Sequence, residues 1–282
     1  MPEHLYAIVL AAGDGTRVRG LTKNAHGLPA PKQFSVVAGN RTLLGATVDR
    51  ASRLVSEEHI VVVVAEEHRC FWSRDLASHS PENVVVQPSN RGTAAGLLLP
   101  FLEVLQRDPQ AQILVLPSDH HVENEEPLAR AMVEAVEVAR RDRRVVLLGA
   151  FPEEPDTEYG WIVPDGTLDG CRGVSHFIEK PDGRTARDLM ARGGLLNTLI
   201  LAADARTLLH LYARHLPELL GELLERRGDL ADIYRRLPLR DLSRHLLAPS
   251  CDALAVVPVA DCGWSDVGTP ERLEPLLACA QS

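Results

Sequence analysis

The chain has 282 residues, of which 45% are hydrophobic and 24% charged, and its formal net charge is −9. This composition is typical of a globular protein and excludes bulk disorder, and a chain of this length can bury a large core without staples. A nucleic-acid binder would need a basic face, and the only basic run is at 140–144, so we expect no nucleic-acid partner. We expect that run to lie at a solvated helix end, where cations favour the helix dipole.

The cysteines and the first residues indicate a compartment. Five cysteines, an odd number with no CxxC pair, favour reduced thiols in a cytoplasmic protein over a disulfide framework. The segment 1–6 has neither a basic n-region nor a long apolar stretch, and the longest apolar runs are about the length of a strand. We therefore expect no signal peptide, no transmembrane helix and no membrane partner.

The first half of the chain alternates short β-branched runs with amphipathic segments. The uninterrupted apolar run 60–65, for example, is typical of a strand buried on both faces. In chain order we predict strands and helices at 5–10 (strand), 42–55 (helix), 60–65 (strand), 84–86 (strand), 93–106 (helix), 113–116 (strand), 127–140 (helix) and 145–148 (strand). This order predicts an α/β fold with a mostly parallel central sheet flanked by helices.

The second half changes in texture but shows no low-complexity linker, repeat or composition break. We predict strands at 159–163, 174–178, 196–201 and 253–259, and helices at 186–192, 205–214, 217–227 and 270–280. We therefore expect 1–282 to form a single domain. In open parallel sheets, ligands bind at the carboxyl ends of the strands, so the residues that follow the strands are the candidates for chemistry.

A glycine-rich turn follows the first predicted strand, at 10–17. Gly13 and Gly15 allow a tight turn that brings bare N–H groups near an anion, and Arg17 adds a planar fork of donors for phosphate. Val18 excludes a dinucleotide fingerprint, and the absence of a lysine after Gly20 excludes a Walker A loop. Taken alone, this pattern is more often plain turn chemistry.

Lys32 stands in the segment 31–34, P-K-Q-F, after a loop rich in Gly, Pro and Ala. A lone lysine is usually a surface charge, but its closeness to Arg17 in the chain favours a second phosphate contact. Together the two segments read G-x-G-T-R…P-K-Q-F. In them the sequence resembles the nucleotidyltransferases that make nucleotide sugars, and among these the mannose-1-phosphate guanylyltransferases.

Further segments resemble the same family in the same order. They are 88–95 (P-S-N-R-G-T-A-A, its nucleobase-side loop), 116–120 (L-P-S-D-H), 158–162 (E-Y-G-W-I, its sugar-binding segment), 177–181 (F-I-E-K-P) and 264–268 (W-S-D-V-G). The resemblance spans roughly 5–275, and the combination of motifs is specific where no single one is. It implies a Rossmann-like nucleotidyltransferase fold of the GT-A-like kind, with a nucleotide-binding part at 1–150 and a sugar-phosphate-binding part at 151–282. The oligomeric state stays open, with a homodimer as the candidate.

Two carboxylates are candidates for a metal site. Asp119 follows the predicted strand 113–116, and Asp266 lies in a glycine-bounded loop after the last strand. Two carboxylates with phosphate oxygens form the usual ligand set for Mg²⁺. The alternative for Asp119 is a helix N-cap or a turn residue. His120 and His121 lack the spacing of a transition-metal site, and we expect His120 to position the Asp119 loop.

The resemblance implies Mg²⁺-dependent nucleotidyl transfer from GTP to mannose-1-phosphate, giving GDP-mannose and pyrophosphate. The catalytic residues would be Arg17, Lys32, Asp119 and Asp266, with Asp119 and Asp266 as metal ligands. The nucleotide would be bound by Leu10, Ala11, Ala12, Gly13, Asp14, Gly15, Thr16, Arg17, Lys32, Pro88, Asn90, Arg91, Gly92, Thr93, Ser118 and Asp119. The sugar phosphate would be bound by Gly160, Glu179, Lys180 and Asn197, with Lys180 in an extended segment because it precedes a proline.

Departures from the family pattern keep alternatives open. Leu199 stands where the family usually has glycine, which bulks the expected sugar side, and Gly92 replaces the usual asparagine of the base-side loop. A thymidylyl- or uridylyltransferase acting on glucose-1-phosphate is the nearest enzymatic alternative. A non-catalytic regulatory homologue that binds a nucleotide sugar is the alternative from another class.

Overall fold

A nine-stranded sheet runs through the part of the chain that the computed structural model describes, namely residues 4–15, 18, 20–24, 28–37, 39–166, 170–225 and 229–279. The strands are β1 (Leu5–Ala11), β2 (Ile60–Ala65), β3 (Val84–Gln87), β4 (Gln112–Pro117), β5 (Val145–Ala150), β6 (Gly160–Pro164), β7 (Arg172–Glu179), β8 (Leu195–Asp204) and β9 (Leu254–Val259). Their order in the sheet is β3-β2-β1-β4-β8-β5-β9-β7-β6, and β6 also pairs with β8.

Strand direction divides the sheet. The strands β3, β2, β1 and β4 are parallel neighbours, as are β5 and β9, whereas β8 lies antiparallel between β4 and β5. The antiparallel pairings of β7 with β9 and of β6 with β7 complete the sheet. Seven of the nine described strands thus run in one direction, which confirms the α/β class, and β7 and β8 make the sheet mixed. Strands from both halves of the chain share this one sheet.

Helices cover both faces. They are α1 (Leu43–Ser52), α2 (Arg69–Asp75), α3 (Thr93–Arg107), α4 (Glu125–Asp142), α5 (Gly183–Ala191), α6 (Ala205–His215), α7 (Pro217–Glu225), α8 (Leu230–Arg236) and α9 (Pro270–Cys279). One apolar core joins α3, α6 and α7 to the sheet, and a second joins α1 and α4 to its other face. In the described residues, no helix is both long enough and apolar enough to cross a bilayer.

The predicted elements recur in the structure with ends shifted by a few residues. The helix predicted at 42–55, for example, is α1, capped by the Thr42 hydroxyl, which accepts from the Gly45 N–H at 3.1 Å. The predicted helix ends at 226–227 and 280 lie outside the described residues. The pattern missed α2 and α8, each only seven residues long. Such helices are too short to show an apolar face and are stabilised by what they pack against.

The arrangement places several loops at one edge of the sheet. Leu10 of β1 pairs with Pro117 of β4, so the residues that follow these two strands emerge side by side. The Ser118 hydroxyl donates to the Leu10 carbonyl at 2.7 Å and ties the second of these loops to the first strand. The loop after β9, at 260–269, reaches the same edge, where the parallel strands end.

Candidate active site

The loops that carry Asp119 and Asp266 are joined by backbone hydrogen bonds. His121 and Ser265 form an isolated antiparallel bridge in which each N–H donates to the other's carbonyl, at 2.9 and 3.0 Å. The N–H groups of Glu123 and Asn124 both donate to the Cys262 carbonyl at 3.0 Å. This pairing brings together two loops that are remote in the sequence, and it holds both acids beside one cation.

That cation is Lys32, whose side chain is only 7% exposed. Its Nζ lies 2.9 Å from Oδ2 of Asp119 and donates to the backbone carbonyl of Asp266. Gln33 fixes the segment, because its Nε2 donates to the carbonyls of Ala11 (3.1 Å) and Gly13 (2.8 Å). These two hydrogen bonds hold the P-K-Q-F segment against the glycine-rich turn.

Gly15 is required where that turn meets Lys32. Its φ is +57°, in the left-handed region that residues with a side chain rarely adopt, and a Cβ there would lie 3.0 Å from the backbone nitrogen of Lys32. Thr16 and Arg17, which follow it, lie outside the described residues. The phosphate contacts predicted for them therefore stay predictions.

Asp119 is a partly exposed carboxylate, with 39% of its side chain accessible. Desolvation raises the pKa of Asp119, but the nearby positive charge of the Lys32 ammonium and its hydrogen bond lower it, and the net pKa lies below its usual value. Oδ2 is engaged by Lys32, whereas His120 Nε2 lies 3.7 Å from Oδ1. Asp119 is therefore ionised at neutral pH.

Asp266 is held through one oxygen. Its Oδ1 accepts from the Tyr159 hydroxyl (2.8 Å), from Nη1 of Arg272 (2.9 Å) and from the Gly268 N–H (3.0 Å). Burial raises the pKa of this carboxyl, but Lys32 and the Tyr159 hydrogen bond together lower it below its usual value. Arg272 also pairs with Asp156, and its guanidinium lies 4.3 Å from the Tyr159 ring centre. Asp266 is thus an ionised group in a fixed orientation.

His120 is a buried neutral histidine behind the two acids. Burial lowers its pKa to about 4, so it carries no charge at pH 7. Trp264 Nε1 lies 3.2 Å from Nδ1, and the two rings meet edge to face at 5.3 Å. Because the indole N–H can only donate, Nδ1 must accept, and the imidazole proton sits on Nε2, the nitrogen nearest Asp119. His120 therefore packs the Asp119 loop against the Trp264 loop, in line with the positioning role expected for it.

Two adjoining cavities open at this edge of the sheet. The larger, about 390 Å³, contains Asp119 in its wall, and the smaller, about 160 Å³, contains Asp266. Thr93, Leu199 and Asp241 line both, so the cavities are neighbours. We name them the upper cavity (about 390 Å³) and the lower cavity (about 160 Å³).

Most of the predicted nucleotide-binding residues within the described part of the chain border the upper cavity. They are Leu10, Ala12, Gly13, Gly15, Asn90, Gly92, Thr93, Ser118 and Asp119. Ala11, Asp14, Lys32, Pro88 and Arg91 do not line it. The Ala11 carbonyl is used by Gln33, and Asp14 Oδ2 accepts from Asn90 Nδ2 at 3.0 Å. The Arg91 guanidinium turns away and donates to the carbonyls of Tyr234 (2.5 Å) and Arg235 (3.2 Å) at the end of α8.

Gly92 has a structural reason for replacing the family's asparagine. Its φ is +84°, and a Cβ would lie 2.2 Å from the carbonyl oxygen of Arg240. The 240–242 segment crosses the start of α3 at this point, where Ala94 N–H donates to the Arg240 carbonyl at 3.1 Å. A side chain at 92 would push this segment away from the upper cavity.

Three of the predicted sugar-phosphate residues line the lower cavity: Gly160, Glu179 and Asn197. A Cβ on Gly160 would lie 2.5 Å from Glu179 Oε2, so glycine leaves room for that carboxylate. Burial and the nearby Asp241 raise the pKa of Glu179. The Asn197 amide is already partly used, since Nδ2 donates to Ser243 Oγ (3.3 Å) and Oδ1 accepts from the Leu199 N–H (3.1 Å).

Lys180 stands at the rim, and its predicted backbone conformation is wrong. Its φ is +49°, a left-handed rather than an extended conformation. The Lys180 N–H donates to the Tyr159 carbonyl at 3.1 Å, which fixes the chain where β7 ends and overrides the local preference before proline. The ammonium lies 3.8 Å from Glu158, a residue of the lower cavity.

The sequence reading missed three residues of the site. Gln87 lines the upper cavity with a side chain that is 2% exposed, and its Oε1 has no hydrogen-bond partner among the described residues. Its position just before the P-S-N-R-G-T motif was the available signal. Asp241, between the cavities, and Arg272, on α9, belong to no motif and are found only through their contacts with Thr93 and Asp266.

Comparison with known proteins identifies the family of the chain. The family model described as nucleotidyl transferase matches residues 6–278. The chain is 30% identical over 279 residues to the alginate biosynthesis protein AlgA of Pseudomonas syringae pv. tomato, covering 93% of this chain and 56% of that protein. It is 29% identical to the mannose-1-phosphate guanylyltransferase of Escherichia coli, covering 94% of this chain and 58% of that protein. The chain thus spans somewhat more than half the length of these relatives.

A solved structure shares the fold closely. It is named mannose-1-phosphate geranyltransferase, from Thermus thermophilus, and superposes with a TM-score of 0.85 at 29% identity. The match covers 98% of this chain and 79% of that one. With the family model matched over nearly the whole length, the chain belongs to the nucleotidyl transferase family of enzymes.

Proposed function

We propose that the chain transfers a nucleotidyl group from GTP to mannose-1-phosphate, releasing pyrophosphate and forming GDP-mannose. One observation carries the proposal: a buried lysine joins two loops where two cavities adjoin, through the Asp119 carboxylate of one loop and the Asp266 backbone carbonyl of the other, and both aspartates are ionised. The relatives named for mannose-1-phosphate guanylyltransferase and for alginate biosynthesis support the choice of substrates.

The two cavities suit the two substrates. The upper cavity, bounded by the glycine-rich turn, would hold the nucleotide, and its larger volume fits a base and a ribose. The buried, unpartnered oxygen of Gln87 would accept a nucleobase N–H, a group that guanine carries at its Watson–Crick edge. The lower cavity would hold the sugar phosphate, with Glu179 available to sugar hydroxyls and Lys180 to the phosphate.

The chemistry needs no general base. A sugar-1-phosphate is a phosphate monoester whose second pKa is about 6, so at pH 7 it is largely a dianion and already nucleophilic. One of its oxygens attacks the α-phosphorus of the nucleotide in line. The bond between the α-phosphorus and the oxygen that bridges to the β-phosphate breaks, and pyrophosphate leaves with the electron pair of that bond. The obstacle is the repulsion between two polyanions, so catalysis rests on positioning and on neutralising charge.

Lys32 is the group placed to neutralise charge. Its ammonium is buried and held by two acceptors from different loops, so its position is fixed before substrate arrives. Because it stands next to Asp119 of the upper cavity and Asp266 of the lower one, it would contact phosphate near the reacting centre. Arg17 and the amides of the turn would bind the outgoing phosphates.

The two carboxylates fit a divalent cation. Both are ionised, and their protein donors are concentrated on one oxygen each, Oδ2 of Asp119 and Oδ1 of Asp266. Oxygen ligands of this kind suit Mg²⁺. We therefore assign Asp119 and Asp266 as its ligands, where the bound ion would neutralise phosphate charge and polarise the α-phosphate. Tyr159, Arg272 and Lys32 hold these two acids in orientation.

The test is a pyrophosphate-release assay that crosses the four common nucleoside triphosphates with mannose-1-phosphate and glucose-1-phosphate. GTP with mannose-1-phosphate should give the highest kcat/KM, and Asp119→Asn and Asp266→Asn should each abolish the Mg²⁺-dependent release without unfolding the protein. A strong preference for dTTP or UTP with glucose-1-phosphate would overturn the substrates and retain the reaction class. Nucleotide-sugar binding without turnover would instead support the regulatory homologue.

A further inference from the structure

The basic run at 140–144 has no part in the site described above, but the fold places it beside a large cavity. This cavity, about 830 Å³, lies at the opposite edge of the sheet, where β1 and β4 begin. We call it the basal cavity, and its lining includes Gln112, Arg140, Arg143, Arg206, Thr207 and His210. The six residues of β4 separate it from the Asp119 loop by roughly 20 Å.

The charge of the basal cavity is strongly positive. Arg140 and Arg143 come from the end of α4, and Arg206 from the start of α6. Within the described part of the chain, none of these three guanidinium groups forms a side-chain hydrogen bond or an ion pair. Surface arginines without a partner repel one another at close range, so their convergence on one cavity indicates an anionic partner.

Among the described residues, Asp204 is the one acid that lines the cavity, and both of its carboxylate oxygens already accept hydrogen bonds. Its Oδ1 accepts from the backbone N–H groups of Arg206 (3.0 Å) and Thr207 (3.2 Å), which caps α6. Its Oδ2 accepts from Gln112 Nε2 at 3.2 Å. Asp204 therefore forms no ion pair with the three arginines, and its single negative charge leaves the positive charge of the lining in excess.

Gln112 supplies an independent observation. Only 8% of the surface of Gln112 is exposed to solvent, and its Oε1 is buried with no hydrogen-bond partner among the described residues. Leaving an amide oxygen buried and unsatisfied is unfavourable, and Gln112 is one of the residues that line this cavity. An N–H or O–H group of a bound molecule would satisfy it. The arginines would bind a phosphate group, and the amide oxygen would accept from an N–H or O–H group. Together they favour a phosphorylated organic molecule as the ligand.

We infer that the basal cavity is a second, non-catalytic binding site for a phosphorylated small molecule, whose phosphate or diphosphate group is held by Arg140, Arg143 and Arg206. Guanidinium groups bind phosphate oxygens with paired, charge-assisted hydrogen bonds, which explains three arginines at one place. The inference does not depend on the proposed reaction, because it concerns different residues at the other edge of the sheet.

The experiment is a calorimetric titration with inorganic pyrophosphate, at low ionic strength and with divalent cations removed by a chelator. We expect the wild-type protein to bind two equivalents, one in the basal cavity and one in the candidate active site. Arg206→Ala, and separately the double variant Arg140→Ala with Arg143→Ala, should each weaken one equivalent at least about tenfold and leave the other unchanged.

Arg141→Ala is the matched control. Arg141 belongs to the same run, and its replacement removes one positive charge, as Arg206→Ala does. It pairs with Asp142 at 2.7 Å and does not line the cavity. It should alter both affinities by less than about twofold. Equal weakening by all the variants would show diffuse electrostatic attraction and overturn the inference, as would unchanged binding in the cavity variants. If the proposed function fails, only the basal equivalent remains, and the cavity variants should still weaken it.

Discussion

Replacing Arg272 by methionine tests whether orientation of Asp266 matters for catalysis. The substitution keeps the apolar stem but removes the donor 2.9 Å from Asp266 Oδ1, the ion pair with Asp156 and the cation over the Tyr159 ring. Both partners are largely shielded, with 21% of the Arg272 and 25% of the Asp266 side chain exposed. A charge-assisted hydrogen bond in such surroundings contributes about 1.5–3 kcal/mol.

If that energy is realised in the transition state, kcat/KM falls about 10- to 150-fold, since 1.36 kcal/mol corresponds to a factor of ten. The pKa of Asp266 is held below its usual value by Lys32, Tyr159 and Arg272. Loss of one of these should raise that pKa, so the acid limb of the pH–rate profile should move to higher pH. The assay is Mg²⁺-dependent pyrophosphate release between pH 3 and 8, with the variant's profile compared with the wild-type profile, because protonation of the sugar phosphate near pH 6 affects both enzymes alike.

Arg214→Met is the matched control, because Arg214 and Asp252 form a pair of the same length, 2.9 Å, on the exposed surface away from both cavities. It should leave kcat/KM and the pH profile unchanged, because an ion pair on the exposed surface contributes little to stability. Arg272→Lys should recover part of the activity, since it restores the charge but not the planar fork. Equal activity in Arg272→Met and Arg214→Met would refute the reasoning.

Three further predictions concern single residues. The pKa of His120 is about 4 in the folded protein and near 6.5 in the unfolded chain, so between these pH values the unfolded chain binds more protons. The free energy of unfolding should therefore be intact above pH 6.5 and fall by about 3 kcal/mol as the pH drops towards 4. In a series of denaturation experiments at different pH, His120→Asn should reduce this fall. Gly160→Ala, whose Cβ would lie 2.5 Å from Glu179, should raise KM for the sugar phosphate and leave KM for the nucleotide unchanged in initial-rate assays; a reversed pattern would contradict the assignment of the two cavities. Gln87→Leu removes a buried, unsatisfied oxygen, so thermal stability should hold or rise while KM for the nucleotide increases, and a stability loss with unchanged KM would assign Gln87 a structural role.

Local sequence patterns determined the element types and the glycine-rich turn, because these depend on interactions within a few residues. The all-apolar run of β2 reads as a buried strand wherever it is placed, and Gly15 allows its turn through its own backbone freedom. Strand direction was not readable in this way. The apolar residues of β8 look the same whether the strand runs up or down, and only its insertion between β4 and β5 makes it antiparallel.

The motifs identified Lys32, Asp119 and Asp266 as separate candidates, but only the tertiary structure brings these three residues together. Their proximity depends on the two backbone hydrogen bonds between His121 and Ser265, which the residue types do not reveal because almost every residue has the same backbone donor and acceptor. Arg272 likewise acquires its contact with Asp266 only when α9 packs beside the site. Composition and pattern report what each segment prefers by itself, whereas the site arises from contacts between segments far apart in the chain, and only the folded structure decides those.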